Sequence, residues 1–184
     1  MISKQDILNS AWRRLGYAKS QDSYASYVEG AFDFGVESLI NEHYWTFAQK
    51  SLSLGLVSNT CELPPYQYKY LLPLDLCAVI KISNGDIIDN SYAIIDKYLY
   101  SNNNPVTLLY TANSFPNDQF PGHFGEALAY YIAKECALVV SKTELFPMLT
   151  QAFELALANA IAIDSRNVPT QIMRNDYYIT QRYI

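Results

Sequence analysis

The spacing of apolar residues changes twice along this chain, and that constrains its fold more than any single motif. Near the start, Ile7, Leu8, Ala11, Trp12 and Leu15 recur at helical spacing. Ser3 and Asp6 stand three apart just ahead of them, as in a capping box with Asp in place of Glu or Gln, and Gly16 supplies a stop. A second stripe with the same period runs through Tyr24, Tyr27, Val28, Ala31, Gly35, Ser38 and Leu39, with Asp22 or Ser23 to cap it and an end near Asn41 or Glu42. Its Ala31, Gly35 and Ser38 let another helix come close.

After Trp45 the period becomes two. Ala48, Leu52, Leu54 and Leu56 alternate with polar residues, and so do Tyr66, Tyr68, Tyr70 and Leu72. Ala78 to Ser83 is a short apolar run, and Asn84-Gly85 after it is a hairpin signal. Tyr92 to Tyr100 and Val106 to Thr111 read as further strands. The middle of the chain is therefore an antiparallel region of about four to six strands. Helical spacing returns with Phe124, Leu128, Tyr131, Ile132, Cys136 and Val139. It continues through Leu149, Ala152, Phe153, Ala156, Ala160 and Ile163, after a start at Thr143 or at Pro147.

The pattern predicts an α+β fold. Residues 1–46 and 120–168 form an antiparallel bundle of four helices, and residues 47–119 form an inserted β domain. Residues 169–184 form an extended C-terminal tail. That tail carries Ile172, Met173, Tyr177, Tyr178, Ile179, Tyr183 and Ile184, with Arg174 and Arg182 among them. A tail left in water is polar. These nine residues are accordingly expected to dock on a partner or on a neighbouring subunit.

The chain has 184 residues, 16 of them Tyr, and only 17% are charged. Tyrosine suits half-buried and interfacial positions, so the surface is either covered by partners or formed by a Tyr-rich sheet face. A net charge of −5 argues against a general nucleic-acid-binding module and against an anionic membrane as partner. Cys61, Cys77 and Cys136 show no zinc or disulfide spacing and are expected to stay reduced and buried.

Chemistry is sparse. The chain has two histidines. His43 falls at a helix end, where a cationic ring suits the helix dipole. His123 falls at a helix start, with a neutral, exposed ring expected, and the spacing gives no reason for the two to meet. Asp86 and Asp89 could hold a cation, but a solvated hairpin loop is the simpler reading. No nucleophile elbow, HExxH, P-loop or GxGxxG pattern occurs. No catalytic, cofactor-binding or metal-ligating residue is expected, and the chain reads as a non-enzyme without a cofactor.

Asn41-Glu42-His43-Tyr44-Trp45-Thr46-Phe47-Ala48 resembles the "hxWxFA" stretch of the phage tail tubular protein A family, the head-to-tail adaptors of short-tailed phages. Ile7 to Gly16 resembles that family's opening "iLNxAlxrLG", and Leu71 to Cys77 its "aLPxDcl" segment. Leu109-Tyr110, Phe120-Pro121 and Phe124 to Ala129 resemble its strand-to-helix passage. The resemblance implies a virion neck protein, assembled in the host cytoplasm into a ring of about twelve copies between portal and tail nozzle. DNA would pass through its lumen without sequence-specific binding. A stopper or tail-completion ring protein is the alternative. A small enzyme or ligand-binding domain using His43 or His123 is a more distant one.

Overall fold

The computed structural model describes residues 1–18, 22–59, 62–85, 87–89, 91–113 and 119–166. Among them are four α-helices and ten strands. Helix α1 (Lys4–Arg14) starts as its sequence predicts. Ser3 is the N-cap, its side chain accepts from the Asp6 amide, and Asp6 reaches back to the Ser3 amide. Helix α2 spans Ala25–Glu42. The N-cap falls on Tyr24 and not at the expected Asp22 or Ser23: residues Asp22–Tyr24 form a 3-10 turn, and the Tyr24 side chain makes no cap hydrogen bond. Helix α3 is Gly122–Val139 and helix α4 is Phe146–Ser165. Thr143 falls in a separate 3-10 turn, and Pro147 stands in the first turn of α4, where its missing N–H costs nothing.

The helices do not form the expected four-helix bundle. In a bundle each helix turns one stripe toward a shared axis. Here α3 is itself the core: ten of its 18 residues are buried, and α1, α2 and α4 each pack on it. A helix apolar on nearly all sides has to be enclosed. Its Gly125 lies against Ile2 and Ile7, and its Leu128 and Tyr131 lie against Gly35 of α2. Tyr131 also meets Phe153 of α4 edge-on at 5.5 Å. The small residues foreseen on α2 do serve close approach, but toward this single helix.

The strands exceed the expected small β region and separate into three antiparallel sheets. Strands β1 (Ile2–Ser3) and β10 (Gln119–Phe120) form a two-residue ribbon beside the helices. One four-stranded sheet comprises β2 (Gln49–Ser53), β9 (Thr107–Ala112), β5 (Leu76–Asn84) and β6 (Ile87–Ile88), in that order. The other comprises β3 (Leu56–Ser58), β4 (Tyr68–Leu71), β8 (Tyr98–Ser101) and β7 (Tyr92–Ile95). Leu54, Tyr70, Ile82, Leu99, Leu108 and Tyr110 from both sheets share one buried cluster. Two predicted strands are each broken in two. The run after Ala48 divides at Leu54-Gly55, so that β2 and β3 join different sheets. Tyr92 to Tyr100 folds into a hairpin, because Asp96 adopts φ 55° at the turn. Aspartate tolerates that left-handed region, and an alternation count cannot see it. The Asn84-Gly85 signal does mark the β5–β6 hairpin, with Gly85 at φ 59°.

Gly35 is where the packing is tightest. A Cβ there would stand 2.7 Å from both Leu128 Cδ1 and the Tyr131 ring. Ala favours a helix over Gly by about 1 kcal/mol, but overpacking a core costs about 1–3 kcal/mol. Gly35→Ala is expected to lower unfolding stability by up to about 2 kcal/mol, read from the denaturation midpoint. An unchanged or raised midpoint would show that α2 and α3 have room to part.

Candidate functional site

The chain's two histidines meet on one buried carboxylate. The α2 helix ends at Glu42, and His43 leaves it in an extended conformation. That turn places His43 Nε2 3.3 Å from Asp164 Oδ2, near the C-terminal end of α4. His123 is the second residue of α3, and its Nε2 lies 3.9 Å from Asp164 Oδ1. Asp164 itself is 1% exposed. It accepts the Thr46 amide at 3.0 Å and the Thr46 hydroxyl at 2.7 Å. The His43 contact is close but misaligned and the His123 contact is long, so both are electrostatic contacts and not hydrogen bonds.

Trp45 builds the floor of this cluster. It is fully buried, and its indole N–H donates to the Leu39 carbonyl at 2.7 Å. Its ring meets His43 edge-on at 5.1 Å, stacks near His123 at 6.3 Å and meets Phe124 edge-on at 5.1 Å. The "hxWxFA" stretch thus does a physical job. It ends α2, seats an indole on α3 and presents Thr46 to α4.

These positions correct two expectations. His123 is not an exposed ring at a helix start, since its side chain is only 16% accessible. The histidines do converge across the fold. Asp164 was not foreseen, although a signal was present. It follows Leu149, Phe153, Ala156 and Ala160 on the buried stripe, a charge at a core position. With both Nε2 atoms turned to Asp164, the cluster can clamp the ends of α2 and α4 to the start of α3. Among the described residues no group of three His, Cys, Asp or Glu side chains is arranged to hold a metal ion.

The Asp86–Asp89 candidate resolves differently. Asp86 lies outside the described residues. Asp89 is no solvated loop residue but is 6% exposed. It accepts from the Ser91 amide at 2.8 Å and the Ser101 hydroxyl at 2.6 Å. Burial pulls its carboxyl up, yet hydrogen bonds from Ser101, Asn103 and Ser91 together outweigh that and hold it below the ordinary range. Of the cysteines, Cys136 is buried as expected, and burial pushes its thiol up to about 11. Cys77 is a free thiol but only partly buried, and Cys61 lies outside the described residues.

Asp75, in the "aLPxDcl" segment, is held by Lys50 of β2 at 2.6 Å and by the Tyr110 hydroxyl of β9 at 3.0 Å. A shallow groove between α1 and α3 is lined in part by Arg13, Arg14 and Glu126. Arg14 is already engaged there by Glu126 at 3.7 Å and by the Tyr130 ring at 4.0 Å.

The surface carries the other candidates. Helix α4 is apolar outward as well as inward, with Met148 and Leu155 exposed, Leu155 by 73%. On α2, Tyr27 and Phe34 are exposed. The nine expected docking residues, Ile172, Met173, Arg174, Tyr177, Tyr178, Ile179, Arg182, Tyr183 and Ile184, lie outside the described residues. No protein-family model matches the chain, and no curated protein sequence matches it.

Two predictions follow the buried carboxylates. Asp164→Ala strands the Thr46 amide and hydroxyl, and leaving buried donors unpaired costs about 1–3 kcal/mol each. We expect a loss of about 2–4 kcal/mol by chemical denaturation, with Thr46→Ala losing less. Equal midpoints for wild type and Asp164→Ala would remove the clamp. Asp89 is a stronger acid folded than unfolded, so its ionised form stabilises the fold above the unfolded value near 3.8. That contribution is lost as pH falls through the lower folded value. The stability gap between wild type and Asp89→Asn should therefore be widest near neutral pH and shrink below 3.8, and a gap constant with pH contradicts the assignment.

Proposed function

We propose that this chain is a structural subunit of a phage neck, an adaptor ring between the portal and the tail nozzle. The words phage and portal rest on the resemblance of residues 7–16, 41–48, 71–77, 109–110, 120–121 and 124–129 to the tail tubular protein A family. The structural observation that supports an assembly role is α4. Within Thr143–Ser165 an 18-residue apolar window has a mean hydropathy of 1.3, and only 11% of it is buried. A helix this apolar is covered in its working state. By length and composition the same segment could cross a membrane. Its Asp164, paired with Thr46 inside the fold, favours a helix seated in protein on one side and covered by protein on the other.

In this reading about twelve copies surround the DNA channel, and residues 172–184 carry the contacts to portal or neighbouring subunit. A charge of −5 per copy makes an acidic ring, which repels phosphates and lets DNA slide. Imaging of the protein mixed with its portal is expected to give a ring of portal symmetry. Deleting residues 172–184 is expected to leave the fold intact and abolish tail attachment. Rings that form only on the nozzle would make the chain a stopper or tail-completion protein. Normal tail attachment by the truncated chain would remove the docking role of its C-terminus.

A further inference from the structure

Helix α2 presents a stripe to solvent, Tyr27, Gly30, Phe34, Glu37 and Asn41, at spacings of three and four. Among the described residues, a side chain of β5 reaches it only at its Asn41 end, where Asn41 Oδ1 accepts from Cys77 Sγ at 3.7 Å. Phe34 is 64% exposed, Tyr27 59%. A Cβ at Gly30 would meet nothing within 4 Å, so a dip opens between the two rings. The surface is acidic as well as aromatic. Glu29, Asp33 and Glu37 are exposed on it or beside it. Lys4 engages Asp33 at 3.7 Å, while Glu29 and Glu37 have no ion pair among the described residues.

The Asp164 cluster decides what lies within reach of this stripe. It holds the end of α4 against the end of α2, with His43 3.3 Å from Asp164. Arg166 follows two residues later, so residues 167–184 set out from the Asn41 end of the stripe. From Asn41 back to Tyr27 is about 21 Å along a helix. Fully extended, residues 167–184 would span about 60 Å, enough to cover the stripe on their own chain. Its chemistry is complementary: aromatic and aliphatic residues with Arg174 and Arg182, and Asp176 as the single acid. The other exposed stripe, Met148, Leu155, Ala158 and Ala162 on α4, has one exposed carboxylate beside it, Glu154, where α2 has Glu29, Asp33 and Glu37.

We propose that in the unassembled chain the C-terminal segment docks in cis on α2. Its Tyr and Ile side chains cover Tyr27 and Phe34, and its arginines meet Glu37 and Glu29. A further consequence rests on the adaptor reading. The segment is withheld until a portal competes for it, so that free subunits do not associate through it.

The test needs no portal. Cysteines replace Phe34 and Ile179 in the full chain with Cys61→Ser, Cys77→Ser and Cys136→Ala. Dilute protein is oxidised and resolved on non-reducing gels. An intrachain disulfide is expected at least tenfold faster than in a Leu155→Cys/Ile179→Cys control, whose helix position lies a similar distance back from the tether. Interchain dimers, equal rates, or preference for the control overturn the proposal. Glu29→Lys with Glu37→Lys, both exposed and tolerable to the fold, should slow the Phe34→Cys linkage several-fold, and an unchanged rate overturns the charge pairing. A chain that links as expected yet forms no ring on a portal would overturn the adaptor reading alone.

Discussion

A carboxylate that is 1% exposed has to be satisfied, and Thr46 comes to Asp164 to do so, with two histidines beside it. Thr46 gives it two donors, and His43 and His123 bring imidazoles to its edges. Thr46 lies more than a hundred residues from Asp164 in sequence, so the cluster closes the helical layer over the whole inserted β region. The segment after α2 and the end of α4 cannot separate without stranding that charge, because both of its hydrogen bonds come from Thr46. Buried polar clusters of this sort specify one arrangement among many that would bury similar apolar area.

Around the cluster, packing is organised by α3. Its sides receive α1 through Gly125, α2 through Gly35 and α4 through Tyr131. This arrangement explains why α2 and α4 each keep an uncovered face. A helix that packs mainly on one neighbour turns much of its other side outward. In α4 that side is Ala-rich with Met148 and Leu155, and in α2 it is Tyr27, Phe34 and Glu37. The uncovered faces and the core geometry are two results of the same packing choice.

Much of this was readable from spacing. The capping box at Ser3, the hairpin at Asn84-Gly85 and the extents of the helices follow from local chemistry. Three things were not legible, each for a physical reason. Periodicity says which face of α3 is apolar but not how many helices share it, so a bundle was the natural expectation. The Asp96 turn and the Gly55 break depend on backbone angles that alternation does not record. The meeting of His43 and His123 depends on tertiary placement alone. Only Asp164, a charge on a buried stripe, announced that a polar partner had to exist.

The division of the helical layer by the β region also sets an order on synthesis. Helices α1 and α2 emerge early with Ile7, Trp12, Phe32 and Leu39 facing outward, while the helix that covers them begins only at Gly122. Strands β2 to β9, by contrast, find all their partners among themselves and are complete by Ala112. The sheets can therefore close on the nascent chain while the first two helices still wait. Between those moments the growing polypeptide exposes the apolar surface destined for α3, and that interval is when it is most open to a chaperone or to misassociation.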